Sequence, residues 1–253
     1  MKLLSAVIIT FNEEKNIARC LESIKEVADE IIVVDSFSTD GTEEICTRYP
    51  VQFHKTTWKG YSQTKNQAQA LAKFDYILSL DADECLTEEL KLEILNHKKT
   101  GFKGVYSMNR LTNYCGKWIH FSGWNPDWKI RIFPKKHVRW NDSIVHEELI
   151  VPNDLIVYSL NGRLQHYSYI STKQHREKAD QYSRLTAKKY AEKGKKSTLL
   201  SPILSAFGRF ISMYFLKLGF LDGNAGWQIA KISALSNAYK YKELRRLNKE
   251  KKQ

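Results

Sequence analysis

The sequence predicts an α/β fold: a mostly parallel sheet flanked by helices, followed by a basic helical C-terminal appendage. Three observations predict it. Apolar runs recur that suit strands covered on both faces, apolar residues fall at helical spacing in the intervals, and turn-forming or capping residues stand at the junctions. The first run, Leu4-Ser5-Ala6-Val7-Ile8-Ile9-Thr10, is nearly continuous in apolar character and reads as a buried strand. A helix is expected at once, with Asn12 as its cap, Glu13 and Glu14 at its positive end, and Ile17, Cys20, Leu21 and Ile24 on its buried face. Glu30 to Asp35 reads as the second strand, closed by the turn-rich segment Ser36-Phe37-Ser38-Thr39-Asp40-Gly41-Thr42. A helix over 42–48, a short strand near 51–54, a polar helix around 61–72 and a strand ending at Asp81 complete a βαβαβαβ order. That order implies a parallel sheet, whose ligands bind at the carboxyl ends of the strands.

Those ends carry Thr10-Phe11-Asn12-Glu13, Asp35 and the triplet Asp81-Ala82-Asp83, so three loops present polar or acidic groups toward one crevice. Asp81 and Asp83 project to the same side of an extended chain and can converge on one divalent cation held against a diphosphate. The competing reading has one of them capping a helix that starts near Thr87. No Gly-x-Gly-x-x-Gly follows the first strand and no Gly-x-x-x-x-Gly-Lys-Ser/Thr loop is present, so neither a dinucleotide fingerprint nor a P-loop meets the phosphates.

Val7-Ile8-Ile9-Thr10-Phe11-Asn12-Glu13-Glu14, Ile31 to Thr42 and Asp81-Ala82-Asp83 together resemble the three sugar-nucleotide motifs of family 2 glycosyltransferases with the GT-A fold, in order. The resemblance implies that Thr10, Phe11, Glu13 and Asp35 contact a uridine, that Lys65 and Asn66 border it, and that Asp83 ligates the metal while Asp81 lies nearer the ribose. Phe11 as core, Lys65 as a solvated helix face and Asn66 as surface are the alternatives. The sequence departs from the family pattern at Ser36, where a second Asp often follows the first.

A sugar hydroxyl attacking an anomeric carbon needs a general base, while the diphosphate leaves with metal assistance. Trp140 to Glu148 supplies candidates: Glu147 as the base, with Asp127 and Asp142 as rivals, and His146 as a further metal ligand or a structural hydrogen-bonding residue. The strand Trp128-Lys129-Ile130-Arg131-Ile132-Phe133 resembles the family's Arg-containing strand, and Arg131 either neutralises phosphate or pairs with an acidic neighbour. Between residues 112 and 128, Tyr114, Trp118, His120, Phe121, Trp124 and Trp128 accompany Gly116 and Gly123. Trp118, Trp124 and Trp128 are the candidates for stacking on an acceptor sugar; a satellite hydrophobic cluster is the alternative.

Length suits a catalytic domain over 1–170, with a nucleotide-sugar half to about 110 and an acceptor half after it, plus a membrane-associating region over 171–253. Residues 1–170 hold 21 Lys/Arg against 22 Asp/Glu, whereas 171–253 hold 19 against 6, so the net charge of +12 arises wholly in the tail. An acidic partner is indicated, although basic runs are usually solvated faces. Leu199 to Leu221 is apolar along one helical side and interrupted by Pro202, Gly208, Arg209, Lys217 and Gly219. A transmembrane helix is therefore not expected; lying in the interface of an anionic membrane is, with each flanking lysine contributing about 1 kcal/mol near the surface. Packing of that face on protein is the alternative.

Four separated cysteines, Cys20, Cys46, Cys85 and Cys115, fit reduced thiols in a cytoplasmic protein, and the amino terminus runs straight into the first strand without a cleavage signal. The tail, with Gly219-Phe220-Leu221-Asp222-Gly223, resembles lipopolysaccharide inner-core β-1,4-glucosyltransferases. That implies UDP-glucose as donor, a membrane-held lipid A-Kdo-heptose acceptor, an inverted product, a Mg or Mn cofactor and a peripheral inner-membrane location. A nucleotidyltransferase would need a Gly-rich, Arg-containing loop after the first strand, which is missing here. No nucleic-acid partner is expected, since an RNA-binding module would leave the acidic strand ends unexplained.

Overall fold

A computed structural model describes residues 2–141 and 147–250. The chain runs β1 (Leu4–Thr10), α1 (Ile17–Ile24), β2 (Glu30–Asp35), α2 (Thr42–Cys46), β3 (Gln52–Lys55), α3 (Tyr61–Leu71) and β4 (Tyr76–Asp81). It continues as β5 (Glu84–Leu86), α4 (Glu88–Thr100), β6 (Val105–Tyr114), β7 (Lys117–Trp118), β8 (Trp128–Pro134), β9 (Arg139–Trp140), β10 (Leu149–Ile150) and β11 (Val157–Tyr169). Helices α5 (Thr172–Glu192), α6 (Ser201–Ile211) and α7 (Gly223–Glu250) close it.

The strand order is β3-β2-β1-β4-β8-β6-β11-β5, with β7 paired to β6, while β9 and β10 form a separate hairpin. The first four strands are parallel and β8, β6 and β5 join in antiparallel pairings. Leu4, Ala6 and Ile8 of β1 pack with Leu21, Ile24, Val33 and Leu78 on one face of the sheet. Val7 and Ile9 pack with Ile32, Val34, Ala68 and Ile77 on the other. Both faces are covered, which is the physical reason that β1 is apolar along its length. Each such Leu, Ile or Val side chain contributes about 1.5–3 kcal/mol on burial.

The expected βαβαβαβ order holds through Asp81, with differences at helix ends. Helix α1 starts at Ile17, not near Asn12, and Asn12 takes a left-handed φ of 54°. A left-handed residue cannot start a helix, and the 36–42 loop fixes this stretch in its irregular path: Asn12 N–H donates to Ser38 Oγ (2.8 Å), Glu13 N–H to Thr42 Oγ1 (2.9 Å) and Glu14 N–H to Asp40 Oδ2 (3.1 Å). Asn12 Oδ1 in turn accepts the Thr39 N–H at 2.8 Å. Helix α2 ends at Cys46 rather than 48. Thr87 caps α4 itself, its Oγ1 accepting from the Leu90 N–H, so neither Asp81 nor Asp83 is spent as a cap.

Two compact units result: residues 1–110 with 127–167, and residues 111–126 with 168–253. A contiguous division at 170 therefore differs from the observed one, because the segment 111–126 belongs with the C-terminal helices. Asp222, 2% exposed, holds it there by accepting the backbone N–H groups of His120 (3.0 Å) and Phe121 (3.1 Å) and the Ser122 hydroxyl (2.9 Å). Within this second unit the chain leaves α6 through a π turn (Ser212–Leu216) and a 3-10 turn (Gly219–Asp222) before entering α7. A Cβ on Gly226 would lie 1.8 Å from the Gly219 carbonyl oxygen, so this turn closes on α7 only with glycine there. Among the described residues no single helix is long and apolar enough to cross a membrane; Ser201–Leu216 and Gly219–Glu250 pass only as a pair bent by 72°.

Candidate active site

Register gathers the loops that the sequence singled out. Thr10 stands opposite Asp35 and Ile9 opposite Asp81, so the carboxyl ends of β1, β2 and β4 lie side by side. Phe11 is 55% exposed there rather than core. Asp35 is fully buried, and its carboxylate accepts the N–H of Ser38 (2.8 Å) and its hydroxyl (2.5 Å), shaping the turn after β2. Glu13 accepts from the Asn16 side chain at 2.8 Å. Among the described residues five buried polar atoms on β1, β3, α3 and the turn after β2 have no hydrogen-bond partner: Thr10 Oγ1, Ser36 Oγ, His54 Nε2, Thr64 Oγ1 and Gln69 Oε1. Each unsatisfied group costs about 1–3 kcal/mol, a cost that a polar ligand removes.

A chain of alternating charges runs beneath this edge. Lys65, projected from α3 and 4% exposed, places Nζ 2.8 Å from Asp81 Oδ1, 4.0 Å from Glu147 Oε1 and 4.5 Å from the centroid of the Trp140 ring. Arg131 Nη2 lies 3.1 Å from Asp81 Oδ2 and 2.5 Å from Glu84 Oε1. Glu84, wholly buried, also meets Arg110 (3.3 Å) and accepts the Asp81 N–H through Oε2 (3.2 Å). Arg110 and Lys129 then grip Asp127 at 2.7 and 3.0 Å. Burial alone would raise the Asp81 carboxyl, but the Lys65 ammonium and the Arg131 guanidinium outweigh it and hold Asp81 well below the usual carboxylate range.

These contacts correct several expectations. Lys65 is a buried ion-pair partner, not a solvated helix face. Both oxygens of Asp81 are taken by protein cations, so in this arrangement Asp81 positions Lys65 and Arg131 instead of ligating a metal. Arg131 faces acidic neighbours, and burial, which favours its neutral form, is overcome by Glu84 and Asp81, leaving it firmly charged. The Asn66 amide is spent on Trp140, accepting its N–H (2.9 Å) and donating to its C=O (3.0 Å), which fastens β9 to α3. Asp127 is a poor base because burial is outweighed by Arg110 and Lys129, which lower its pKa. His146 and Asp142 lie outside the described residues. Glu147, by contrast, meets only the longer 4.0 Å approach of Lys65 among the described ion pairs.

For a metal, the donor set narrows to Asp83. The β11–β5 register sets His166 opposite Glu84, and His166 Nε2 comes within 3.3 Å of Asp83 Oδ2. A carboxylate oxygen beside an imidazole nitrogen would suit one divalent cation, held by Asp83 and His166. Among the described residues no group of three or more His, Cys, Asp or Glu converges on one point.

The three tryptophans part ways. Trp128, at the start of β8 in the first unit, is 48% exposed. Trp118 is half-buried in β7 of the second unit. Trp124 packs its ring edge-on against Tyr114 (5.7 Å) and His175 (5.6 Å) and beside Tyr169 (5.7 Å). Trp124 is thus part of the hydrophobic cluster around Tyr114 and Met213, and its faces serve packing.

Sequence reading missed Glu84, Arg110 and His166. Glu84 continues the acidic run begun by Asp81 and Asp83, and Arg110 is the charged residue of β6, which were the available signals; for His166 none existed without the pairing of β11 with β5.

The family model for Glycosyl transferase family 2 matches residues 5–148, the segment that holds β1 to β4, Asp83 and Glu147. The chain belongs to glycosyltransferase family 2. Its layered sheet and helices are of the GT-A type. This glycosyltransferase is 32% identical over 261 residues to an uncharacterised glycosyltransferase of Rickettsia typhi, covering 98% of this chain and 88% of that one. It is 30% identical over 232 residues to the lipopolysaccharide core biosynthesis glycosyltransferase LpsC of Rhizobium meliloti, covering 87% and 82%. Among solved structures, glucosyl-3-phosphoglycerate synthase of Mycobacterium tuberculosis, in complex with Mn2+ and UDP, overlaps 44% of each chain at 22% identity and a TM-score of 0.36.

Proposed function

We propose that this glycosyltransferase moves glucose from UDP-glucose to a hydroxyl of a lipid-linked saccharide, a heptose of a lipopolysaccharide or lipooligosaccharide inner core, with inversion, at the anionic cytoplasmic face of the inner membrane. Family membership supports the reaction class, and the relative named for lipopolysaccharide core biosynthesis supports the acceptor class. The observation that carries the mechanism is the Glu147 carboxylate, 4.0 Å from a buried Lys65 that is itself neutralised by Asp81.

The acceptor hydroxyl gives its proton to Glu147 as its oxygen bonds to the anomeric carbon, and the carbon–oxygen bond to UDP breaks with its electron pair leaving on the phosphate. One displacement inverts the centre, and one carboxylate suffices. Lys65, tied to Asp81, stands 4.0 Å from the base and closes that side of the cleft with a buried ion pair. Thr10, Ser36, His54 and Thr64 offer the unsatisfied polar atoms for the nucleotide. Asp83 and His166 would hold a divalent cation, Mg or Mn, whose charge would offset that of the departing diphosphate.

Glu147→Gln tests the reading. UDP release from UDP-glucose plus acceptor is expected to fall by a factor on the order of 100 or more, with stabilisation by UDP in a melting assay retained. Full activity in this variant would remove Glu147 from the base role.

A further inference from the structure

We propose that the outward face of α6 is a docking surface for an anionic phospholipid bilayer, on which the helix lies flat. The proposal rests on the function above for its purpose, since a lipid-linked acceptor is presented at such a surface, but the surface itself carries it. Leu200, Ile203, Leu204 and Phe207 recur at helical spacing and are 62, 65, 64 and 67% exposed. Beyond the helix, Leu216 is also 76% exposed. The opposite side of the helix is occupied, where Pro202 is buried and the Ser205 carbonyl accepts from Asn237 of α7 (3.3 Å), and Phe210 at the edge of the stripe meets Trp227 of α7 at 5.2 Å. The helix is thus anchored through one side while its more apolar side faces solvent. A contiguous exposed apolar stripe of this kind marks an interaction surface.

Charge selects the occupant. From Lys193 to Leu221 the chain carries Lys193, Lys195, Lys196, Arg209 and Lys217 and no Asp or Glu. The next acidic residue, Asp222, is buried and spent on backbone donors. An apolar stripe in a segment whose charged residues are all cations fits acyl chains below anionic headgroups. A second copy of this chain would bring two cationic rims together, which repel. Length selects the orientation: 11 helical residues span roughly 16 Å, about half of a 30 Å hydrocarbon core, so the helix lies in the interface.

The full-length protein is tested by cosedimentation with vesicles of phosphatidylcholine containing a quarter phosphatidylglycerol, and with phosphatidylcholine alone. Binding is expected on the anionic vesicles and at least tenfold weaker on the neutral ones. Leu204→Glu together with Phe207→Glu is expected to lower partitioning by a factor on the order of 100, since each buried side chain accounts for roughly tenfold or more. Both positions are exposed, so the melting temperature should stay within about 2 °C of the parent. UDP release in detergent solution should be unchanged, because neither residue touches the site. Equal partitioning of parent and variant overturns the proposal. So does failure to bind anionic vesicles alongside a dimer, seen by sedimentation velocity, that Phe207→Glu dissociates. Vesicle binding without any UDP release would sink the proposed reaction and leave the docking surface standing.

Discussion

Replacing Glu84 by Gln removes the central negative charge of the buried chain of ion pairs. Glu84 is fully buried, 2.5 Å from Arg131 Nη2 and 3.3 Å from Arg110 Nη1, and it accepts the Asp81 N–H at 3.2 Å. At 3.3 Å and an effective dielectric of about 20, each such attraction is on the order of 5 kcal/mol before desolvation is subtracted. The near-isosteric amide keeps shape and some hydrogen bonding but takes one anionic partner from both Arg131 and Arg110, whose ion pairs with Asp81 and Asp127 remain. Loss of one partner from a buried pair costs about 3–5 kcal/mol. For a chain of 253 residues, at roughly 2–4 °C per kcal/mol, the melting temperature should fall by about 6–20 °C. Thermal melts at pH 7 in low and high salt measure it, and the loss should persist in 1 M salt because buried pairs are weakly screened. A second arm combines Glu84→Leu with Arg131→Leu, where the joint loss should be smaller than the sum of the single losses, with a coupling of about 1–3 kcal/mol. A Glu84→Gln protein melting within about 2 °C of the parent, with additive single losses, would refute the claim that this network is a coupled element.

Asp222→Ala leaves the His120 and Phe121 N–H groups and the Ser122 hydroxyl without their acceptor, so urea unfolding should show a loss of about 3 kcal/mol or more. Gly226→Ala would drive a methyl against the Gly219 carbonyl oxygen, and a destabilisation on the order of 3 kcal/mol is expected in the same assay. Burial pushes the His175 imidazole down to about 4 from an ordinary 6.5, so between those values the unfolded chain binds a proton that the folded chain does not. This contribution is therefore absent above pH 6.5 and destabilises progressively as pH falls, reaching about 2 kcal/mol by pH 5. Urea titrations at pH 7.5 and 5 should show that difference shrinking in His175→Gln; an unchanged difference would show that the ring titrates normally.

The strand and helix order through Asp81 was legible because local periodicity reports burial. Leu4 to Thr10 could be apolar at every position only if both faces were covered, and they are. The boundary of α1 was not legible, since Asn12 is held in a left-handed conformation by the 36–42 loop, some 26 residues away, which binds both its N–H and its side-chain oxygen. Thr10 and Asp35 could be nominated because they end strands, Asp83 because it follows the strand that ends at Asp81, and Glu147 by its motif. Whether Asp81 or Asp83 faced cations of the protein was beyond any local pattern.

By itself the sequence determined the family, the layered α/β order and a tail that gathers the positive charge, because motif, periodicity and charge are written along the chain. Tertiary structure alone decided which charges meet. Arg131 and Glu84 are 47 residues apart, and Phe121 and Asp222 are 101 apart. Pairings across such distances follow from strand register and helix docking, and a shift of one residue would have turned each of those strand side chains to the opposite face.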